Sequence, residues 1–242
     1  MEDAFSRTRY LIGEDGLDRL RKARVAVFGV GGVGSYVVEA LCRAGVGSFL
    51  LVDNDVVSLS NLNRQMHATH DTIGQYKTKV MAQRVLSINP QAVVETKEEF
   101  CLPDNVGTIL EGPFDYVVDA VDTVSAKIGL VVEAYNRSIP IISCMGAGNK
   151  LDSTLFKVAD IYDTSTCPLC RIMRRELRRC EIPALKVVYS TEQPMIPIYD
   201  QAPPEGYAGR QPPGSISFVP SVAGLITAGE VVRSLLGVIQ PQ

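Results

Sequence analysis

Short apolar runs bounded by polar or glycine-rich turns recur along this chain at Val25–Val30, Phe49–Val52, Val93–Thr96, Tyr116–Asp119 and Pro140–Ser143. Their brevity and their β-branched content predict strands. Between them, apolar residues at three- and four-residue spacing predict helices at about Ser35–Ala44, Thr78–Ile88 and Ser125–Asn136, with a shorter one near Asp104–Leu110. Strand alternating with helix is the signature of right-handed βαβ units, so the fold class is α/β: a doubly wound, Rossmann-like, mostly parallel sheet. Past Gly148 the rhythm changes. Phe156–Ile161 and Lys186–Ser190 predict strands on either side of a helix over Pro168–Arg179, extending the sheet with antiparallel edge strands. Pro194–Gly214, with its two Pro-Pro pairs, predicts a long mobile loop able to act as a lid. Val222–Leu236, begun at Pro220 or Ser221 and stopped by Gly237, predicts a buried final helix. Residues 1–242 read as one domain, with a nucleotide-binding core over about 20–148 and an extension over about 149–242.

Composition narrows the class. The 242 residues are 46% hydrophobic and 21% charged, with no apolar run near 20 residues and no charged-then-apolar leader, so a soluble, cytoplasmic protein without a membrane partner is expected. A formal net charge of −3 argues against a general nucleic-acid coat but leaves room for a local basic patch. The six cysteines do not form a disulfide framework. Cys167-Pro-Leu-Cys170 has the spacing of half a zinc site, yet no second pair follows, and Cys180 brings the ligands only to three, so packing is favoured over zinc or a reactive thiol.

The chemistry concentrates where the first strand ends. Gly29, Gly31, Gly32 and Gly34 make a turn between strand and helix, which permits close approach of a ligand and puts helix N–H groups where an anion is favoured. Asp53 ends the next strand at the position that holds a ribose hydroxyl. Asn61, Arg64, Lys77 and Asp122 go beyond what a dinucleotide needs. Arg64 offers a donor fork and Lys77 a compact charge for adjacent phosphates, and Asp122, just past a strand end, could hold a magnesium ion. Each has a plainer reading: an ion pair for Arg64, a solvated charge for Lys77, helix capping for Asp122, a turn for Asn61 and Asn63. His67 and His70 are read as structural.

The order and spacing of Gly29-x-Gly-Gly-x-Gly34, Asp53-x-Asp55, Ser60-Asn-Leu-x-Arg64-Gln65, Gly74-x-x-Lys77, Ile88-Asn-Pro90 and Asp119-x-x-Asp122 resemble those of the ubiquitin-activating-enzyme-like adenylyltransferases. Arg7-Thr-x-x-x-Leu-Ile-Gly13, Asn63-Arg-Gln-x-His67-Ala, Ser143–Lys150 and Val187–Glu192 look like the branch of that family that dehydrates threonylcarbamoyladenosine in tRNA. The resemblance implies a homodimer that uses ATP and Mg²⁺ to turn a carboxylate into its acyl-adenylate, followed by intramolecular capture to a cyclic product. It places Asp53 and Asp55 at the nucleotide, Asn61, Arg64 and Lys77 at the phosphates and Asp122 at the metal. Arg7 reaches phosphate from the partner subunit, with Arg9 as its competitor, and a sulfur-relay protein is a further partner.

Three other functions are weighed against this one. Activation of a sulfur-carrier protein's C-terminal glycine would usually come with a full zinc site. An NAD-dependent oxidoreductase gives Arg64, Lys77 and Asp122 no shared task, and an idle nucleotide-binding scaffold would not retain them all. Arg171, Arg174, Arg175, Arg178 and Arg179 lie on one predicted helix, as a solvated face or as a clamp for tRNA phosphates.

Overall fold

The computed structural model describes residues 3–199 and 212–238. Its centre is a seven-stranded sheet made of β1 (Arg24–Phe28), β2 (Ser48–Val52), β3 (Val93–Lys97), β4 (Tyr116–Asp119), β5 (Ile141–Cys144), β6 (Phe156–Asp160) and β7 (Lys186–Ser190), in the order β3-β2-β1-β4-β5-β7-β6. All neighbours pair in parallel except β6 with β7. The antiparallel addition is thus confined to the edge strand β6, while β7 continues the parallel set beside β5.

Period-two burial explains why helices cover both faces. Val25 and Val27 of β1 enter one core, and Ala26 and Phe28 enter the other. The first core is closed by α2 (Gly34–Ala44), α3 (Lys77–Ile88) and α7 (Phe218–Leu236), and the second by α4 (Val106–Ile109) and α5 (Val124–Asn136). The helix α6 (Pro168–Arg179) seals a third cluster against α5 and β7 through Cys170, Met173 and Leu177.

Two helices depart from the pattern-based reading. An N-terminal helix, α1 (Ser6–Lys22), is not foreseen, because it is mostly polar and sends only Leu17 and Leu20 fully into the interior. It bends at Gly13, whose φ of +73° is outside the helical range. Helix α7 starts at Phe218, ahead of the expected Pro220, since a proline in the first turn gives up no intrahelical hydrogen bond. It is long and apolar enough to cross a membrane, but it packs along α2 and against β4, β5 and β7. Of the expected loop over 194–214 only the two ends are described. Residues 200–211, and with them most of the lid, lie outside the described residues.

Candidate active site

The strand order reverses direction between β1 and β4, and beyond the carboxyl ends of those strands the chain opens a cleft of about 660 Å³. This is where doubly wound sheets bind ligands. The loop after β1 meets the loop after β4 at backbone distance. A Cβ on Gly29, which has φ +83°, would lie 2.6 Å from the Ala120 carbonyl oxygen, and one on Gly34 would lie 1.8 Å from that of Gly29. Gly29, Gly31 and Gly32 line the cleft. Gly34 does not; it permits the tight approach of α2 to its own turn.

Asp53, at the end of β2, is fixed by two backbone donors: Val30 N–H at 2.7 Å to Oδ2 and Asp55 N–H at 2.9 Å to Oδ1. Burial raises its pKa above the ordinary carboxylate range, Lys77 and the two amides opposing. One carboxylate thereby ties the glycine turn to the second strand and still faces the cleft.

Lys77, the first residue of α3, is 5% exposed and donates from Nζ to Asp55 Oδ2 at 2.6 Å. A buried ammonium needs a partner, and the exposed Asp55 supplies it. Arg64 is half-buried and donates from Nη1 to Ser60 O at 2.8 Å and to Asn63 Oδ1 at 2.9 Å. Burial lowers its pKa, and among the described residues no carboxylate pairs with it. Asn61 accepts the Ser58 N–H through Oδ1 at 3.1 Å, which leaves its amide N–H₂ group to the cleft it lines. Asp122 is exposed at the rim, with only the Thr123 hydroxyl at 3.4 Å among the described residues; Thr123, not Asp122, occupies the N-cap position of α5.

The structure therefore brings Asp53, Asp55, Asn61, Arg64, Lys77 and Asp122 into one cleft. Arg7 is exposed on α1 and is not among the residues that line it. Its competitor Arg9 is engaged by Asp3 and Glu14, each at 2.5 Å.

The sequence pattern assigns no role of their own to several residues of the site. Gln65 lines the cleft beside Gly31, and its Oε1 is buried without a partner among the described residues. Lys127, 1% exposed, donates to both oxygens of the fully buried Asp119 at 3.1 Å and to Cys144 O at 2.7 Å, joining α5, β4 and β5 under the cleft floor. Its place on the inner face of α5 betrays it only once the sheet is known. The far wall is a segment pinned from two sides. Asn149 and Gly214 exchange hydrogen bonds of 2.8 and 2.7 Å, and Asn63 Nδ2 donates to Ser215 O at 3.0 Å.

The cysteine pair sits elsewhere. Cys167 caps α6 and Cys170 lies in its first turn, both buried. The Cys170 thiol and the amides of residues 169 and 170 donate to Cys167 and, with Lys150 nearby, hold its pKa down at about 6; the same thiol contact and burial raise that of Cys170. Cys180 is exposed at the far end of α6, some 13 residues or about 20 Å along a helical path, so it cannot join the pair as a third zinc ligand.

A doubly wound sheet with a glycine turn, a strand-end acid and two cations gathered at its switch point has the architecture of a nucleotide-binding α/β protein. The chain matches the ThiF family over residues 5–242 and belongs to it. It is 44% identical over 239 residues to the tRNA threonylcarbamoyladenosine dehydratase of Bacillus subtilis, covering 96% of this chain and 94% of that one. It is 30% identical over 230 residues to a sulfur carrier protein adenylyltransferase of Thermus thermophilus, covering 95% and 75%. Among solved structures, that of the Escherichia coli tRNA N6-threonylcarbamoyladenosine dehydratase in complex with ATP superposes with a TM-score of 0.86 at 32% identity, covering 97% of this chain and 94% of that chain. The same enzyme in complex with AMP gives 0.88.

Proposed function

We propose that this protein is a tRNA threonylcarbamoyladenosine dehydratase, which activates the carboxylate of that nucleoside with ATP and lets the activated acyl group close on itself. The likeness to the Bacillus subtilis dehydratase over nearly the full length of both chains carries this reading. The sulfur-carrier alternative is more distant in identity, and the described residues hold no cluster of three or more His, Cys, Asp or Glu able to bind a metal, whereas that reading goes with a full zinc site.

In this reaction the carboxylate oxygen displaces pyrophosphate from the α-phosphorus of ATP, and ring closure then expels AMP. The chain's share is alignment and charge stabilisation rather than a nucleophile. Asp53 holds the ribose. The amides after Gly29, pointing out of the start of α2, receive phosphate oxygens. Lys77 exchanges Asp55 for a phosphate oxygen, and Arg64, already steered by Ser60 O and Asn63, meets its neighbour with the rest of its donor fork. Asn61 contributes an amide donor.

Magnesium is commonly held by one or two carboxylates together with substrate phosphates and water. Asp122, exposed at the cleft rim and almost unbonded, suits a single-carboxylate contact of that kind. There the ion would neutralise charge on the departing pyrophosphate.

We further infer that the chain works as one domain, in the cytoplasm where tRNA and ATP are found, and as a homodimer in which Arg7 of each chain serves its partner's cleft. The exposure of Arg7 away from its own cleft supports that arrangement. A sulfur-relay partner has no residue-level support among the described residues.

The deciding experiment is release of AMP and pyrophosphate with tRNA carrying threonylcarbamoyladenosine, with unmodified tRNA and with a ubiquitin-like carrier protein. Stimulation by the modified tRNA alone is the expected result. Equal stimulation by unmodified tRNA, or stimulation by the carrier, overturns the proposal.

A further inference from the structure

Helix α6 is built to show arginine on one side only. Cys170, Met173 and Leu177, spaced three and four apart, bury its inner face. Its outer face carries Arg171, Arg174, Arg175, Arg178 and Arg179, which with Ile172 line an open depression of about 570 Å³. Like charges three and four positions apart on a helix face repel one another unless acids are interleaved with them. Here Glu176 is the one carboxylate that pairs with any of the five among the described residues, meeting Arg175 at 2.6 Å and Arg179 at 3.0 Å. Five like charges are gathered on two turns of a chain whose formal net charge is −3.

Two of them are also held in place by uncharged groups. Arg174 donates from Nη1 to Thr164 O at 2.9 Å and to the Thr164 hydroxyl. Arg178 lies over the Tyr162 ring at 5.2 Å, and that ring is itself anchored by a 2.6 Å bond from its hydroxyl to Ile182 O. Such contacts orient a guanidinium without cancelling its charge, which lowers the entropy lost when an anion arrives. Arg171 has no partner among the described residues.

The direction of α6 matters as well. Its first turn stands beside Lys150 and Cys144, at the edge of the sheet where the cleft opens; its last turn stands over Tyr162, just past the end of β6, at the opposite edge. The arginines therefore descend from the cleft edge along roughly 11 Å from Arg171 to Arg178, at 1.5 Å per residue. That is the axial length over which one strand of a B-form duplex presents about three phosphates, at ~3.4 Å of axis each.

We propose that the outer face of α6 grips the sugar–phosphate backbone of the tRNA substrate while the modified nucleoside occupies the cleft. Contacts of this kind give affinity and register without reading bases. The inference rests on the tRNA reading above, and its test is a binding measurement that does not depend on turnover.

The variants are Arg171→Gln with Arg175→Gln, because both side chains are exposed and neither anchors the fold. Binding of tRNA to the full chain is followed by filter retention across a salt series, with modified and unmodified tRNA. The expected result is a weakened tRNA constant, together with a log–log salt slope shallower by roughly 1.4 to 1.8, since each neutralised phosphate contributes about 0.7 to 0.9. The ATP constant stays unchanged. An unchanged tRNA constant and slope would make the face solvated surface, even if modified tRNA still drives AMP release. Arginine-dependent binding to vesicles of anionic lipid, with none to tRNA, would overturn the assignment in favour of a membrane surface. Should modified tRNA fail to stimulate AMP release in the native chain, the function fails while the slope comparison still decides the surface.

Discussion

At the scale of single residues, the cleft is organised by substitutable contacts. Lys77 is satisfied by Asp55 and Arg64 by a carbonyl and an amide oxygen, so each cation is held without ligand by contacts that another acceptor can displace. Replacing either with alanine is expected to lower turnover by about 10² to 10³, the usual worth of one charge-stabilising donor. Pyrophosphate release measured with modified tRNA checks this, and near-normal turnover would remove that residue from the mechanism. His67 makes a second case, one of stability. It is 3% exposed, both ring nitrogens lack a partner among the described residues, and burial, with the Lys77 charge as a smaller cause, pushes its pKa down to about 4. The unfolded chain takes up this proton from about pH 6.5 downward. Between pH 6.5 and 4 the unfolded state thus binds more protons, and stability falls as pH drops through that window. At ~1.4 kcal/mol per pH unit this is worth up to about 3 kcal/mol. Denaturant melts of the native chain and His67→Leu at pH 7 and pH 4.5 should show the smaller loss in the variant; equal losses would mean that His67 is not the group responsible.

At the scale of elements, backbone contacts set the distances that the side chains then use. The loop after β1 can touch the loop after β4 because Gly29 has no Cβ, and α2 can start so close because Gly34 has none. Gly34→Ala places a methyl group 1.8 Å from a carbonyl oxygen, against backbone that has no rotamer to yield. The expected outcome is a loss of more than about 3 kcal/mol of stability, or loss of ATP binding if the turn shifts instead. Calorimetry of unfolding and of ATP binding checks both, and a variant normal in the two would show that the turn is not so tight. The Lys127–Asp119 pair works at the same scale. Fully buried, it locks α5 to the ends of β4 and β5, so removing one partner leaves an uncompensated charge. Lys127→Met is expected to cost about 3 to 5 kcal/mol, whereas Lys127→Met with Asp119→Leu recovers part of it. Denaturant midpoints of the two variants decide; equal midpoints would show that charge pairing is not what the interior depends on.

Over the whole molecule, the final helix is what closes the site. Helix α7 packs on α2, and a Cβ on Gly224 would lie 2.5 Å from the Val33 carbonyl oxygen at the end of the glycine turn. Pro220, in its first turn, lines the cleft and would meet a Cβ on Gly32 at 3.3 Å. Residues far along the chain from the glycine turn therefore brace it. A chain ending at Ser217 is expected to lose its cooperative thermal transition, because the core shared by α2, α7 and the sheet would be opened to water. Retention of that transition would show that α7 is an accessory.

How much of this was legible in the residue string follows from the same physics. Strand and helix rhythm, the glycine turn, Asp53, Arg64 and Lys77 are local or short-range signals, each set by spacing along one segment. They determined the fold class, the strand-end cleft and the family resemblance. The polar helix α1 escaped because little of it is buried, and the parallel course of β7 could not be told from its residues, since pairing direction depends on where the intervening helix returns the chain. Only the tertiary structure decided that Lys77 pairs with Asp55, that Lys127 and Asp119 are an interior lock, that Gln65 and the 212–215 segment wall the cleft, and that α6 turns its arginines outward from the cleft edge. Those contacts join positions far apart in the chain, and what joins them is the free energy of packing the whole sheet.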